Sequence, residues 1–290
     1  MKIYHHNDLD GRCAAAIVLR ERGNKDTESD PELTELDYKD PAKDPIDFSS
    51  IQKGEIVFVV DFSFKPEAME KLLKITKDVV WIDHHKTAFE YKYSKDLEGI
   101  RNASFSACEL TWQYFTGGYH PPTPQVVRLI GDWDTWTFKF EEQTRLFHTG
   151  LLSYDTNPKN PIWDKLLCPD SSDVRGLIDN IKKEGAVCIK FRDQFLEDYA
   201  VSYGFEVEFE GRLCFAFPLY KFGSDGFGKR IEEYPICISF VYSGDGWTIG
   251  LYSKTIDVAE IAKKYEGGGH TGAAGFECEK MPSFLKKKDD

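Results

Sequence analysis

Two uninterrupted apolar runs, Ile56–Val60 and Val79–Ile82, are too short for helices and consist only of β-branched and aromatic residues. Each reads as a strand buried on both faces, the pattern of a parallel sheet covered by helices. Both runs stop at polar residues: Val60 leads into Asp61, and Ile82 leads into Asp83-His84-His85. An N-terminal strand over Lys2–His5 leads in the same way into His6-x-Asp8-x-Asp10-Gly11. Ligands of open parallel sheets gather beyond the carboxyl ends of the strands, so these clusters are predicted to meet in one crevice. Converging carboxylates and imidazoles are the oxygen and nitrogen donors that a divalent metal requires.

Helix signals alternate with the strands. Gly11 opens an Ala-rich helix to about Arg22, and Pro66 starts an amphipathic one to about Lys77. Ser104 or Ser106 can cap a helix to about Phe115, and Pro124 lies in the first turn of the next, which runs through Ile130. Between the first helix and Ile56 lies a polar Asp/Pro-rich stretch with one candidate strand at Thr34–Lys39. The fold class predicted is α/β, a mainly parallel sheet flanked by helices over residues 1–165. A helical linker over 166–203, mostly the helix Asp173–Tyr199, joins it to a smaller α+β domain over 204–290. There Phe205–Phe209, Leu213–Phe217, Ile236–Tyr242 and Thr248–Ser253 alternate like antiparallel strands. Glu210-Gly211 and Ser243–Gly246 mark turns, and Asp257-x-x-Glu260 resembles a capping box.

Bulk properties narrow the function. The net charge of −12 argues against tracking of long nucleic acid, which rests on a basic surface. A short anionic substrate held by metals and a few cations fits better. Seven scattered cysteines without a C-x-x-C pair suit a reducing cytoplasm. Neither a signal-peptide apolar region nor a membrane-length apolar stretch is present in the sequence.

In His6-x-Asp8-x-Asp10, alternate residues of an extended segment face one way, so three ligand-type side chains can share one centre. The competing reading is a strand-to-helix turn with Asp10 capping the Ala-rich helix. Asp61 can be a bridging ligand or a turn aspartate. Adjacent His84 and His85 point in different directions, so one can bind metal while the other faces substrate. Asp132 and Asp134, in Gly131–Trp136, are expected to follow a helix end, and either can be a ligand. Gly267-Gly268-Gly269-His270 offers free N–H groups to an anion, although a glycine run is more often a helix C-cap. His120 and His148 lack motif context and read as structural, and the Lys286–Lys288 run reads as a solvated tail.

Together these motifs resemble the DHH phosphoesterase superfamily with its DHH-associated C-terminal domain. The resemblance rests on His6–Gly11, Val59-Val60-Asp61, Asp83-His84-His85, Gly131–Trp136, and Asp257–Ala262 leading to Gly267–His270 and Ala273-Ala274-Gly275. It spans nearly the whole chain and lies nearest the nanoRNase, or oligoribonuclease, branch. It implies a DHH catalytic domain over 1–165 and a substrate-binding domain over 204–290, with two Mn²⁺ ions for which Mg²⁺ or Co²⁺ can substitute. His6, Asp8 and Asp61 would hold one ion; Asp10, Asp61, His84 and one of Asp132 or Asp134, preferably Asp134, the second. His85 would contact the scissile phosphate, Asp83 would orient its neighbours, and Gly267, Gly268, Gly269, His270 and Lys254 would bind substrate. Two positions depart from the pattern. Tyr4 stands where several relatives have the first histidine, so His6 substitutes, and Tyr252 with Lys254 stands where many have an arginine.

The expected activity is two-metal hydrolysis of short oligonucleotides, RNA preferred, to mononucleotides. Competing expectations are a cyclic mono- or dinucleotide phosphodiesterase, a 3′-phosphoadenosine 5′-phosphate phosphatase, and a non-catalytic nucleotide sensor. No membrane partner is expected, and a homodimer is left open.

Overall fold

The computed structural model describes residues 1–22, 30–38, 46–117, 122–168, 171–219 and 222–285. His120 and the Lys286–Lys288 run lie outside them. The chain divides into two compact units, Met1–Cys188 and Ile189–Asp290.

The first unit opens with β1 (Lys2–His6), α1 (Leu9–Arg22), β2 (Glu32–Leu36), β3 (Val57–Val60), α2 (Pro66–Ile75) and β4 (Val79–Ile82). The four strands form one sheet in the order β2-β1-β3-β4, parallel throughout. Register explains why the central strands are apolar on both faces. Ile3, Phe58 and Val80 lie side by side and pack into one core with α1; Tyr4, Val59 and Trp81 pack into the other with Met69, Leu72 and Leu73 of α2. Tyr4, the departure from the family pattern, is thus a core residue, its ring edge-on to Phe48 and Phe64. The candidate strand at Thr34–Lys39 begins earlier, as edge strand β2 beside β1.

The chain continues through α3 (Ala107–Thr116), α4 (Gln125–Asp134), α5 (Glu142–Leu151) and α6 (Ile162–Leu166). Ser106 caps α3 through a full capping box with Glu109. α4 outruns its expected end at Ile130 by a turn, so Asp132 and Asp134 lie within the helix rather than after it. α5 and α6 carry no strong start signal in the sequence and were not expected. α7 (Ser172–Tyr203) runs through the division between the units.

The second unit holds β5 (Phe205–Phe209), β6 (Arg212–Phe217), α8 (Arg230–Glu233), β7 (Cys237–Tyr242), β8 (Trp247–Tyr252), α9 (Val258–Lys263), β9 (Gly268–His270) and β10 (Ala273–Cys278). Its sheet has the order β5-β6-β7-β8-β10-β9. All pairs are antiparallel except β6–β7, which is parallel and corrects the fully antiparallel expectation. The connection through α8 returns the chain in its original direction, as a parallel pair requires. No helix among the described residues is long and apolar enough to cross a membrane.

Candidate metal centre

His5 pairs with Val60 and Val60 with Ile82, so β1, β3 and β4 end at one level. His6, Asp61 and Asp83 follow those positions, each leaving the carboxyl edge of the sheet. Asp61 N–H still donates to Ile82 O at 3.0 Å, after which the backbone turns with φ of 55° at Asp61. Few residues other than glycine accept this left-handed conformation; aspartate is among them. Asp61 is also 1% exposed, yet neither carboxylate oxygen accepts a hydrogen bond. A buried carboxylate without donors is costly, and such a group calls for a cation.

Imidazoles surround it. His6 Nδ1 lies 3.6 Å from Asp61 Oδ2 and 2.7 Å from Asp8 Oδ2. His84 Nε2 lies 3.3 Å from Asp61 Oδ1, 3.3 Å from Asp134 Oδ2 and 3.9 Å from Asp10 Oδ2. Three groups arise, His6/Asp8/Asp61, Asp10/His84/Asp134 and Asp61/His84/His85, and within each the donor atoms lie within 4.8 Å of one another. Donors sharing an ion at ordinary bond lengths sit roughly 3–4.4 Å apart, so these groups need little contraction to close on one. Asp61 and His84 are each common to two groups. The donor set is oxygen with a few nitrogens and no sulfur, suited to Mn²⁺ or Mg²⁺ more than to a thiolate-bound metal. Asp134 Oδ2 is a further buried oxygen without a hydrogen-bond partner.

The crowding of acids perturbs protonation. Burial, then Asp10 and Asp8, push the Asp61 carboxyl well above the usual range. Burial and then Asp10 lift Asp134 to about 8. Burial also raises Asp10, against the pull of His84. At His6 burial disfavours the imidazolium, but Asp61 and Asp8 outweigh it and bring the group to about 10. Without a cation the cluster therefore holds protons in a metal's place.

Secondary structure fixes each candidate ligand. Asp8 caps α1, Oδ1 accepting from Gly11 N–H at 2.9 Å. The capping role considered for Asp10 thus belongs to Asp8, and α1 begins two residues before the expected Gly11. Asp10 caps another helix: its carboxylate accepts from Ala107 N–H at 2.7 Å and Cys108 N–H at 2.9 Å, at the amino end of α3. Nothing near Asp10 in sequence could reveal that partner. Gly11 is required here, because a Cβ would lie 2.5 Å from His6 O.

Asp83 is fully buried and organises the following histidines. Its Oδ1 accepts from His84 N–H at 2.7 Å, His85 N–H at 3.3 Å and His85 Nδ1 at 2.7 Å. Oδ2 accepts from Ser63 Oγ, which itself accepts from Trp81 Nε1–H at 3.2 Å. Burial opposes the charge on Asp83, but the contacts with His85 and Ser63 outweigh it and hold the carboxyl low. With Nδ1 bonded to Asp83, His85 has Nε2 for other partners, and its side chain is 34% exposed. His84 and His85 thus turn their rings to different neighbours, His84 to Asp134 and His85 to Asp83.

Asp132 and Asp134 are separated by their place on α4, since residues two apart on a helix face away from each other. Asp134 joins Asp10 and His84. Asp132 instead pins the following loop: it accepts from Thr137 Oγ1 at 2.6 Å, Lys139 N–H at 2.7 Å, Phe140 N–H at 3.2 Å and from Thr144 Oγ1. His148, read as structural, is half-buried and stacked 3.9 Å from Trp133, and burial lowers it to about 4.

Sequence reasoning missed Tyr38. Its ring is half exposed, stacks 4.3 Å from Phe62 and lies 5.6 Å from both His6 and His85. Its hydroxyl accepts from Ser63 N–H, and it follows a strand whose end was misplaced from sequence.

In the second unit, the glycine run is no loose loop. Gly268–His270 is edge strand β9, paired with β10 and exposed throughout. Asp257 caps α9 by accepting from Ala259 and Glu260 N–H. Lys254 pairs with Glu232 at the surface of this unit.

Residues 1–130 match the DHH family, N-terminal domain. A curated relative, "Uncharacterized protein R106" of Acanthamoeba polyphaga mimivirus, is 26% identical over 269 residues, 87% of this chain and 60% of that protein. The chain thus spans about three-fifths of that relative's length. Among solved structures, the pGpG-specific phosphodiesterase PggH from Vibrio cholerae has a TM-score of 0.56 at 13% identity, covering 96% of this chain and 93% of that one. RecJ in complex with Mn²⁺ from Thermus thermophilus has a TM-score of 0.51 at 14% identity, covering 95% of this chain and 49% of that one. At such identities the likeness concerns the fold. The family match falls on the first unit, the one that carries the strand-end cluster.

Proposed function

We propose that the protein is a phosphodiesterase that hydrolyses short oligonucleotides, RNA preferred, to mononucleotides, using a pair of divalent cations, Mn²⁺ by preference. The observation that carries this reading is Asp61: a buried carboxylate in a left-handed turn, unpartnered, at the junction of two clusters of donor atoms. His6, Asp8 and Asp61 would hold one ion; Asp10, Asp61, His84 and Asp134 the other. Bound there, the cations would acidify a shared water and neutralise charge building up on the phosphate.

The chain's own groups supply the rest. Asp83 fixes the ring of His85, so that Nε2 can donate to a phosphate oxygen. The Tyr38–Phe62 stack beside His6 and His85 offers an aromatic face to a base. The exposed Gly268–His270 edge offers backbone N–H groups and an imidazole to an anion. Substrates are short because a chain of net charge −12 repels a long polyanion everywhere but at its cations. PggH acts on the linear dinucleotide pGpG, which favours a linear substrate over a cyclic one here. All seven cysteines are unpaired, in keeping with a cytoplasmic enzyme.

The test compares initial rates of the Mn²⁺ form on linear and cyclic dinucleotides, a five-nucleotide RNA, 3′-phosphoadenosine 5′-phosphate and pyrophosphate. Linear dinucleotide and RNA should be cleaved fastest. Preferential cleavage of a cyclic dinucleotide would move the assignment to that class, and no hydrolysis at all would favour a sensor.

A further inference from the structure

Outside the metal centre, the outer edge of β4 carries an aromatic and cationic cleft. The segment 98–101 runs along that edge, with Trp81 N–H donating to Glu98 O at 2.8 Å and Asp83 N–H to Ile100 O at 3.1 Å. Gly99 makes the approach feasible, since a Cβ there would lie 2.0 Å from Trp81 O. Between this segment and residues 89–97 lies a space of about 430 Å³. Trp81, Phe89 and Tyr91 line it with rings; Lys92, Lys95 and Arg101 line it with charge. Asp96 is its acidic lining residue.

Arg101 is the informative group. Its guanidinium sits 5.2 Å over the Trp81 ring, and Nη1 donates to the carbonyls of Trp81 and Glu98 at 3.1 and 3.3 Å. Among the described residues no carboxylate lies within ion-pair distance of it, Asp96 included. Burial accordingly lowers its affinity for its proton, an unusual state for an arginine. Lys92 is exposed and also unpaired among the described residues. In a chain of net charge −12, two cations without an ion-pair partner among the described residues, beside the partly exposed rings of Phe89 and Tyr91, are an unmatched set.

A guanidinium on an aromatic face next to an ammonium suits a phosphate, and neighbouring rings suit a base. We propose that this cleft is a second, metal-independent site for a nucleoside monophosphate, its phosphate held by Arg101 and Lys92 and its base packed on Tyr91 and Phe89. The site does not require the metal-centre reading, because none of its residues is a candidate ligand. The Trp81 indole N–H, bonded to Ser63 and through it to Asp83, ties the floor of the cleft to the support of His85.

The experiment is calorimetric titration of AMP, adenosine and inorganic phosphate into EDTA-treated protein. Wild type, Lys92→Glu, Arg101→Gln and Asp61→Asn are compared, with circular dichroism to verify folding. AMP is expected to bind once per chain, more tightly than either fragment. Lys92→Glu and Arg101→Gln should each weaken it by about tenfold or more, whereas Asp61→Asn should not weaken it. Lys92 is exposed and makes no hydrogen bond or ion pair among the described residues, so its variant keeps the test meaningful if Arg101→Gln unfolds. Absence of AMP binding without metal, binding indifferent to Lys92→Glu, or binding abolished by Asp61→Asn would each overturn the proposal.

Discussion

Replacing Asp61 with asparagine should make the metal-free protein more stable and the Mn²⁺-loaded protein less stable than wild type. Asparagine matches aspartate in volume and accepts the φ of 55°. It removes a buried charge that no hydrogen bond satisfies. Relieving such a group is worth about 1–3 kcal/mol. The first unit, Met1–Cys188, falls in the size class where each kcal/mol moves Tm by about 2–4 °C, so a rise of about 2–12 °C is expected in EDTA at pH 8. Metal reverses the order. At a hundredfold excess over Kd, wild type gains about 2.7 kcal/mol from one bound ion, while the variant lacks the carboxylate common to two donor groups. Protonation gives a second check. Asp61, Asp10 and Asp134 have carboxyls raised by folding, Asp134 to about 8. The native state thus holds protons that the unfolded chain has released, and stability falls as pH rises from about 4, the unfolded carboxyl value, through 8. The advantage of the variant should therefore fade toward pH 4, where wild type is protonated as well. Differential scanning fluorimetry across pH, with EDTA or MnCl₂, reads all three effects. A variant that melts below wild type in EDTA yet retains the full Mn²⁺ shift would refute the reasoning.

Asp83→Asn should leave Mn²⁺ stoichiometry in calorimetry unchanged while lowering kcat about 10–100-fold, because His85 is then oriented by a neutral amide oxygen in place of a carboxylate. Asp132→Ala should cost about 2–4 kcal/mol in urea unfolding, since four donors lose their acceptor, yet leave Mn²⁺ binding intact. Equal loss of metal from Asp132→Ala and Asp134→Ala would contradict the separation of the two residues on α4. Gly11→Ala should destabilise by more than about 1 kcal/mol and weaken Mn²⁺ binding together, as its methyl forces His6 away from the helix start.

What could be read from sequence was local. Asp61 and Asp83-His84-His85 stand out because a buried strand announces its own end, and strand ends on one side of a parallel sheet converge without further information. The choice between Asp132 and Asp134 could not be read that way, since it depends on α4 continuing a turn past Ile130 and on Thr137 and Thr144 awaiting one of the two carboxylates. The parallel pairing of β6 and β7 was hidden because alternation of apolar residues reports a face and not a direction. The partner of Asp10 was hidden for a different reason: the N–H groups of Ala107 and Cys108 belong to the backbone, which leaves no compositional trace.

Asp10 holds two posts, facing His84 on one side and plugging the amino end of α3 on the other. A relative that gave up hydrolysis could shed Asp134 freely, but surrendering Asp10 would also loosen a helix. Among descendants of this architecture, persistence of that one acid therefore says little about whether catalysis survives; the fate of Asp61, which no helix needs, says far more.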